Sequence, residues 1–265
     1  MKIGLFDSGL GGLTILKAVA RELPWYDYEF YGDTANLPYG DRNEKEIYEL
    51  TKKGVEYLFA KECSLVIIAC NTSSAETLRK LQDGFLRENY SDRKILGVII
   101  PTIEAVIEQS LNRVVLIGTN RTVNSKKYLY ELAKYPRVPE LVSVATPDLV
   151  PLIEAGEFET AFSNALEAIE QTGEKDGVIL GCTHYTILTQ KLTAYYATKS
   201  VQVFSQDHII PTKLKNYLEN HPEIETKLTR EGQRNIYLTD NSSRYDSVIQ
   251  ELLGGAFIAD NKGGD

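Results

Sequence analysis

The sequence predicts an α/β protein made of two pseudo-symmetric parallel-sheet domains, flavodoxin-like in their alternation of strand and helix, with the active site in the cleft between them. Three observations carry this. Short apolar runs alternate with amphipathic stretches along the chain. Two of the runs, LVIIACNTSS at Leu65–Ser74 and VILGCTHY at Val178–Tyr185, deliver a cysteine into short polar residues. Cys70 and Cys182 stand 112 residues apart, and the same offset takes Asp7, which follows KIGLF, to Thr119, which follows VVLIG. Two strand ends repeat together, as a duplicated strand-loop-helix unit would.

Lys2–Phe6 is an apolar run closed by Asp7-Ser8-Gly9, then Gly11-Gly12, then Leu13, Leu16, Val19 or Ala20, and Leu23 at helical spacing before Pro24. That is strand, glycine loop, helix. The loop DSGLGG lacks GxGxxG spacing, and its leading aspartate would repel a pyrophosphate, which argues against a nucleotide site. Tyr28–Tyr31 reads as a second strand, and the following loop ANLPYGDR carries Pro38 and Gly40 as turn makers. A helix over Glu44–Lys61 leads to the Leu65 run. After CNTSS, Leu78, Leu81 and Phe85 share a helix face, and Ile95–Ile99 reads as a strand before Pro101. Val114–Ile117, Glu140–Val144, Val178–Leu180 and Val201–Phe204 continue the alternation. Past Ile209 come a helix, a strand at Ile236–Leu238 and a helix over Asp246–Leu253, a segment expected to pack back on the first domain. The domains are therefore expected at 1–97 plus 209–265 and at 98–208, with the final NKGGD disordered.

Composition narrows the function. With 43% hydrophobic and 25% charged residues in 265, the chain reads as an ordinary globular protein. A net charge of −8 without a basic block argues against nucleic acid as a partner. No apolar run is long enough for a membrane span, and Met1 leads directly into a strand, so a cytoplasmic protein without a signal peptide is expected. Three cysteines are too few for a disulfide framework. With only three histidines and no CxxC, HxxxH or HExxH spacing, no metal is expected.

Cys63 reads as a packing residue. Cys70 and Cys182 each follow a strand and precede a helix, where backbone N–H groups favour a thiolate. Two thiols facing one ligand could form a redox disulfide, act as a nucleophile and a bystander, or serve as opposed bases; spacing leaves all three open. Asp7 and His184 could each tune a neighbouring thiol, although Asp7 and Ser8 are equally suited to cap a helix. Asn71, Thr72 and Thr183 supply neutral donors that could hold a carboxylate with helix N-terminal amides. The loops carry no lysine to anchor a pyridoxal Schiff base, so no cofactor is expected.

DSGLGG at Asp7–Gly12, YGDTANLPYG at Tyr31–Gly40, ACNTSSA at Ala69–Ala75 and GCTHY at Gly181–Tyr185 together resemble the cofactor-independent glutamate racemases, almost end to end. The histidine of GCTHY sets the chain apart from aspartate racemases, which usually carry an acidic residue there. The resemblance implies an isomerase that interconverts L- and D-glutamate by proton transfer at the α-carbon and supplies D-glutamate for peptidoglycan, hence for cell wall and cell shape. In it Cys70 works on the D-enantiomer, assisted by Asp7, and Cys182 on the L-enantiomer, assisted by His184 and Glu154. Ser8, Tyr39, Gly40, Asn71, Thr72, Thr119, Thr122 and Thr183 line the substrate. The partners expected are the small-molecule substrate and a second copy of the chain in a homodimer. Three positions depart from the family pattern: Ile100 in GVIIP, Thr186 after GCTHY, and VFSQDH at Val203–His208. A carboxylate-binding protein without turnover, or a thiol hydrolase using Cys70 and His184, would use the same residues.

Overall fold

Two all-parallel sheets form the frame of the computed structural model, which describes residues 1–240 and 242–253. The first sheet holds β1 (Lys2–Asp7), β2 (Tyr28–Gly32), β3 (Cys63–Ile68), β4 (Lys94–Gly97) and β9 (Arg234–Leu238), in the order β4-β3-β1-β2-β9. The second holds β5 (Arg113–Gly118), β6 (Glu140–Ala145), β7 (Gly177–Gly181) and β8 (Gln202–Phe204), in the order β6-β5-β7-β8. Read from the other edge, the second order is β8-β7-β5-β6, which matches β4-β3-β1-β2 strand for strand. The offset seen in the sequence is thus a topological equivalence of β1 with β5 and of β3 with β7.

Strands β3 and β7 are buried along their whole length. Helices cover both faces, which is why these strands read as unbroken apolar runs. In β5, Val115 and Ile117 enter one core while Val114 and Leu116 enter the other, as the two-residue period of a strand requires. Around the first sheet, Leu13, Leu16 and Leu214 pack with Ile3 and Leu5, while Val55, Leu58 and Phe85 pack with Phe6 and Ile68 on the opposite face.

Local signals set the element ends. The helix Glu44–Ala60 begins with a capping box: Glu46 N–H donates to Asn43 Oδ1 at 3.0 Å, and Asn43 N–H donates to Glu46 Oε2 at 3.2 Å. The stretch after CNTSS is less regular than expected, with a turn broken at Thr77 and a π-helical segment over Leu81–Leu86. The expected strand Ile95–Ile99 is corrected. Its pairing with β3 stops at Gly97, and Ile99 opens a helix, Ile99–Glu108, that takes Pro101 into its first turn. The first turn of a helix has N–H groups without partners, so proline costs nothing there.

The chain returns to the first sheet through the helix Gln206–Asn220, which starts after β8 and buries Ile210, Leu214 and Leu218 in the first sheet's core. Strand β9 then pairs with β2 along Tyr28–Gly32. The helix Asp246–Leu253 lies where the sequence placed it; the NKGGD segment lies outside the described residues. Among the described residues no helix is long and apolar enough to cross a membrane.

Candidate active site

In both sheets the central strands end side by side, and the loops that follow them meet in one place. Parallel order turns back between β3 and β1 and between β7 and β5, the position where open α/β sheets leave a crevice. Cys70 caps the helix Asn71–Glu76 that follows β3. The Ser73 N–H points at its Sγ at 3.5 Å, and Ser8 Oγ lies 3.3 Å away. The expectation of a thiolate at this helix start is corrected. Burial pushes the Cys70 thiol up to about 11, the charge of Asp7 adds to the rise, and the contacts from Ser8 and Ser73 do not offset them.

Cys182 is placed differently. It precedes the turn Thr183–Leu188 without capping it through its side chain. The Cys182 Sγ faces His184 Nδ1 at 3.8 Å, and His184 Nε2 lies 3.0 Å from Glu154 Oε1. Burial opposes a charge on this imidazole, but the hydrogen bonds to Cys182 and Glu154 outweigh it and hold the His184 pKa well above its ordinary value. The protonated ring then donates from both nitrogens, one to the thiol position and one to the carboxylate. The two cysteines are equivalent in topology and differ in their neighbours: Ser8 and Ser73 beside Cys70, His184 beside Cys182.

Asp7 is fully buried at the end of β1. Its Oδ2 accepts from the N–H groups of Gly9 and Gly12, at 3.3 and 3.0 Å, so it does hold the start of the helix Gly12–Glu22. Thr183 adds a hydroxyl donor from the second sheet's loop. Burial raises the Asp7 carboxyl, against the charge of His184 and these hydrogen bonds. The two loops touch because residue 11 is glycine. A Cβ there would stand 2.5 Å from the His184 backbone nitrogen and 2.6 Å from Thr183 Oγ1.

The remaining polar residues close the walls. Thr72 from the first sheet meets Thr119 at 3.0 Å and Thr122 at 3.3 Å, and Thr119 caps the next helix by accepting from the Thr122 N–H. Tyr39 donates to Asp33 at 2.6 Å, and the adjoining Gly40 packs on Thr119. Burial, with Asp33 beside it, holds the Tyr39 phenol far above its ordinary value. Ser8, Tyr39, Gly40, Cys70, Asn71, Thr72, Thr119, Cys182, Thr183 and His184 line a single cavity of about 60 Å3. Asp7, Glu154 and Thr122 do not line it; each stands one contact behind a residue that does. A larger cavity of about 520 Å3, bounded by Leu78, Ile99 and Leu214, contains neither Cys70 nor Cys182. Chemistry, and not volume, marks the smaller one as the candidate site.

Sequence reasoning missed part of the wall. Leu37, Asn120, Pro147, Val150 and Pro151 also line the cavity. The LVPLIEAG segment that carries Glu154 held the signal for Val150 and Pro151. Tyr128 and Gln206, which bond the Asn71 amide from behind, gave none.

The profile of a family described as Asp/Glu/Hydantoin racemase matches residues 20–207. A glutamate racemase of Ruegeria sp. (strain TM1040) is 35% identical over 268 residues, covering 96% of this chain and 97% of the relative. The crystal structure of a Francisella tularensis glutamate racemase in complex with D-glutamate superposes with a TM-score of 0.81 at 30% identity, covering 95% of this chain and 93% of that one. A glutamate racemase isoform of Bacillus anthracis gives a TM-score of 0.85 at 27% identity, over 98% and 96% of the two chains. With two equivalent sheets, each ending a central strand in a cysteine at a shared cavity, the chain belongs to the Asp/Glu/hydantoin racemase family.

Proposed function

We propose that this protein is a glutamate racemase that works with two thiols and no cofactor, and that it supplies D-glutamate for peptidoglycan. One observation carries the reading: Cys70 and Cys182 come from equivalent strand ends of different sheets and line the same cavity. Inversion at a carbon needs one group to remove a proton from one face and another to return a proton to the opposite face. A thiol from each sheet meets that need.

The unequal surroundings suggest which thiol begins. The His184 imidazolium, braced by Glu154, faces the Cys182 sulfur, while Cys70 is held as a thiol. In this state Cys182 takes the α-proton of L-glutamate and Cys70 delivers its proton to the other face, giving D-glutamate. The reverse reaction starts from the opposite protonation state. Asp7, behind Ser8, sets the proton affinity of Cys70. Ser8, Asn71, Thr72, Thr119, Thr183, Tyr39 and the Gly40 backbone hold the carboxylates and the ammonium group. Their prearranged donors offset the charge that develops on the carbanion, and closed walls keep water from it.

A cavity of about 60 Å3 accommodates a few waters and not an amino acid. Substrate entry therefore needs the two halves to part, at domain boundaries we place at 1–97 plus 209–265 and at 98–208. The grouping of β1–β4 with β9, and of β5–β8, supports that division. A homodimer belongs to the same proposal, with the exposed neighbours Leu129 and Tyr130 as apolar surface for it; sedimentation of the purified protein tests it.

Proton NMR of the protein with L- or D-glutamate in D2O tests the chemistry. The α-proton signal is expected to vanish as the opposite enantiomer appears, and Cys70→Ala or Cys182→Ala is expected to abolish the inversion. Faster turnover of aspartate than of glutamate would reassign the substrate. Absence of exchange with both amino acids, from folded protein, would refute the racemase reading.

A further inference from the structure

Gln206 follows β8 in one of the segments that depart from the family pattern, and it is fully buried. Its side-chain amide lies against that of Asn71, which follows Cys70 in the first sheet's loop. Asn71 Nδ2 donates to Gln206 Oε1 at 2.8 Å, and Gln206 Nε2 donates to Asn71 Oδ1 at 2.8 Å. Tyr128 Oη donates to the same Asn71 oxygen at 2.8 Å and receives Gln206 Nε2 at 3.3 Å. Burial holds the Tyr128 phenol well above its ordinary value, so it stays a donor.

We propose that Gln206 is a positioning residue for the reaction: with Tyr128 it clamps the Asn71 amide, so that Asn71 meets the substrate as an N–H donor and not as a carbonyl acceptor. Donor counting carries the argument. The Asn71 oxygen accepts from both Gln206 and Tyr128, which uses its two lone pairs. Its nitrogen spends one of two N–H groups on Gln206. What is left uncommitted on this cavity-lining residue is one N–H, the group that suits a carboxylate. The clamp also joins the two halves, because Asn71 belongs to the first sheet's loop and Tyr128 to the second half of the chain. It rests on the glutamate reading for its substrate but not for its geometry.

Two measurements separate these. In a nitrogen-15 spectrum the Asn71 side-chain NH2 is expected as two well-resolved, slowly exchanging signals, assigned by their loss in Asn71→Ala. In Gln206→Leu they are expected to collapse together and exchange faster. Unchanged Asn71 signals in that variant would overturn the proposal whether or not glutamate turns over. In turnover, Gln206→Leu is expected to raise KM for glutamate about tenfold with kcat within about twofold, as for a hydrogen bond made equally in ground and transition states. Tyr128→Phe, which leaves one donor to the Asn71 oxygen, is expected to have a smaller effect in the same direction. A merely structural role would lower the melting temperature and the active fraction while leaving KM unchanged, and that result would also overturn the proposal. Gln206→Glu, of the same length but unable to donate when ionised, makes the same test if the leucine variant does not fold. If Asn71→Ala itself leaves KM unchanged while the Gln206→Leu signals collapse, the clamp stands and the substrate role of Asn71 fails.

Discussion

Thr183, one residue past Cys182, donates its hydroxyl to both carboxylate oxygens of Asp7, at 3.2 and 3.3 Å. Asp7 in turn raises the proton affinity of Cys70. The loop that carries one thiol therefore holds the carboxylate that adjusts the other. Any motion that separates the two halves changes the surroundings of both cysteines at once.

The Cys70 thiol makes a first prediction. In a Cys182→Ala background its alkylation, followed by mass spectrometry, is expected to rise with pH up to about 11. Asp7→Asn removes a charge that favours the neutral thiol, so the midpoint is expected to move down. An unchanged midpoint would show that Asp7 acts only as a helix cap.

The same shift links stability to pH. A thiol whose pKa is raised from 9.0 to about 11 on folding stabilises the protein below the unfolded value and loses that contribution as pH climbs through the folded one. The loss from Cys70 is about 3 kcal/mol between pH 9 and 11. Cys63, pushed up to about 12 by burial, extends it. Urea unfolding is expected to show a midpoint falling steeply over this range, and less steeply in Cys63→Ala.

Removing the brace on the second thiol gives a kinetic prediction. Glu154→Gln takes away a partner that favours the His184 imidazolium, so the ring's titration, read by NMR, is expected to move to lower pH. His184→Asn is expected to lower kcat/KM by about a hundredfold. The fall should be equal for L- and D-glutamate, because enantiomers have equal free energy and their kcat/KM values cannot diverge.

Two glycines should respond in opposite ways to alanine. Gly11→Ala drives a methyl into the backbone of Thr183 and His184, which cannot swing aside. It is expected to cost about 2–3 kcal/mol in urea unfolding and most of the turnover. Gly84 has nothing within 4 Å of an added Cβ and sits inside a helical segment. Gly84→Ala is expected to stabilise the protein by about 0.5–1 kcal/mol.

Thr186 follows GCTHY in the second sheet's loop and faces the first helix. Its hydroxyl lies 2.7 Å from Thr14 Oγ1 and donates to the Thr183 carbonyl. Thr186→Val is expected to cost about 1 kcal/mol by loss of this bridge between the halves. A melting temperature equal to that of the parent would show that the bridge contributes nothing.

The sequence by itself determined the alternation of strand and helix, the equivalence of the two halves and the places of both cysteines. Those features are written in local periodicity: wholly buried strands read as apolar runs, and the polar residues that end them mark the loops. It pointed to Asp7 and His184 for the same reason, since each lies within three residues of a strand end. It misjudged Ile99, because an apolar run before a proline looks alike in a strand and in a helix's first turn; only the end of pairing at Gly97 separates them. Local sequence put His184 beside Cys182, but tertiary structure raised that ring's proton affinity, for the reach from Glu154 to His184 spans 30 residues and depends on how the helix Leu149–Glu154 packs. Tertiary structure alone decided that Cys70 stays a thiol. A helix start favours the thiolate, burial opposes it, and burial is a property of the whole fold. The Asn71–Gln206 clamp, 135 residues apart in the chain, has no local signature, because a buried amide finds its partner only when the cores close around it.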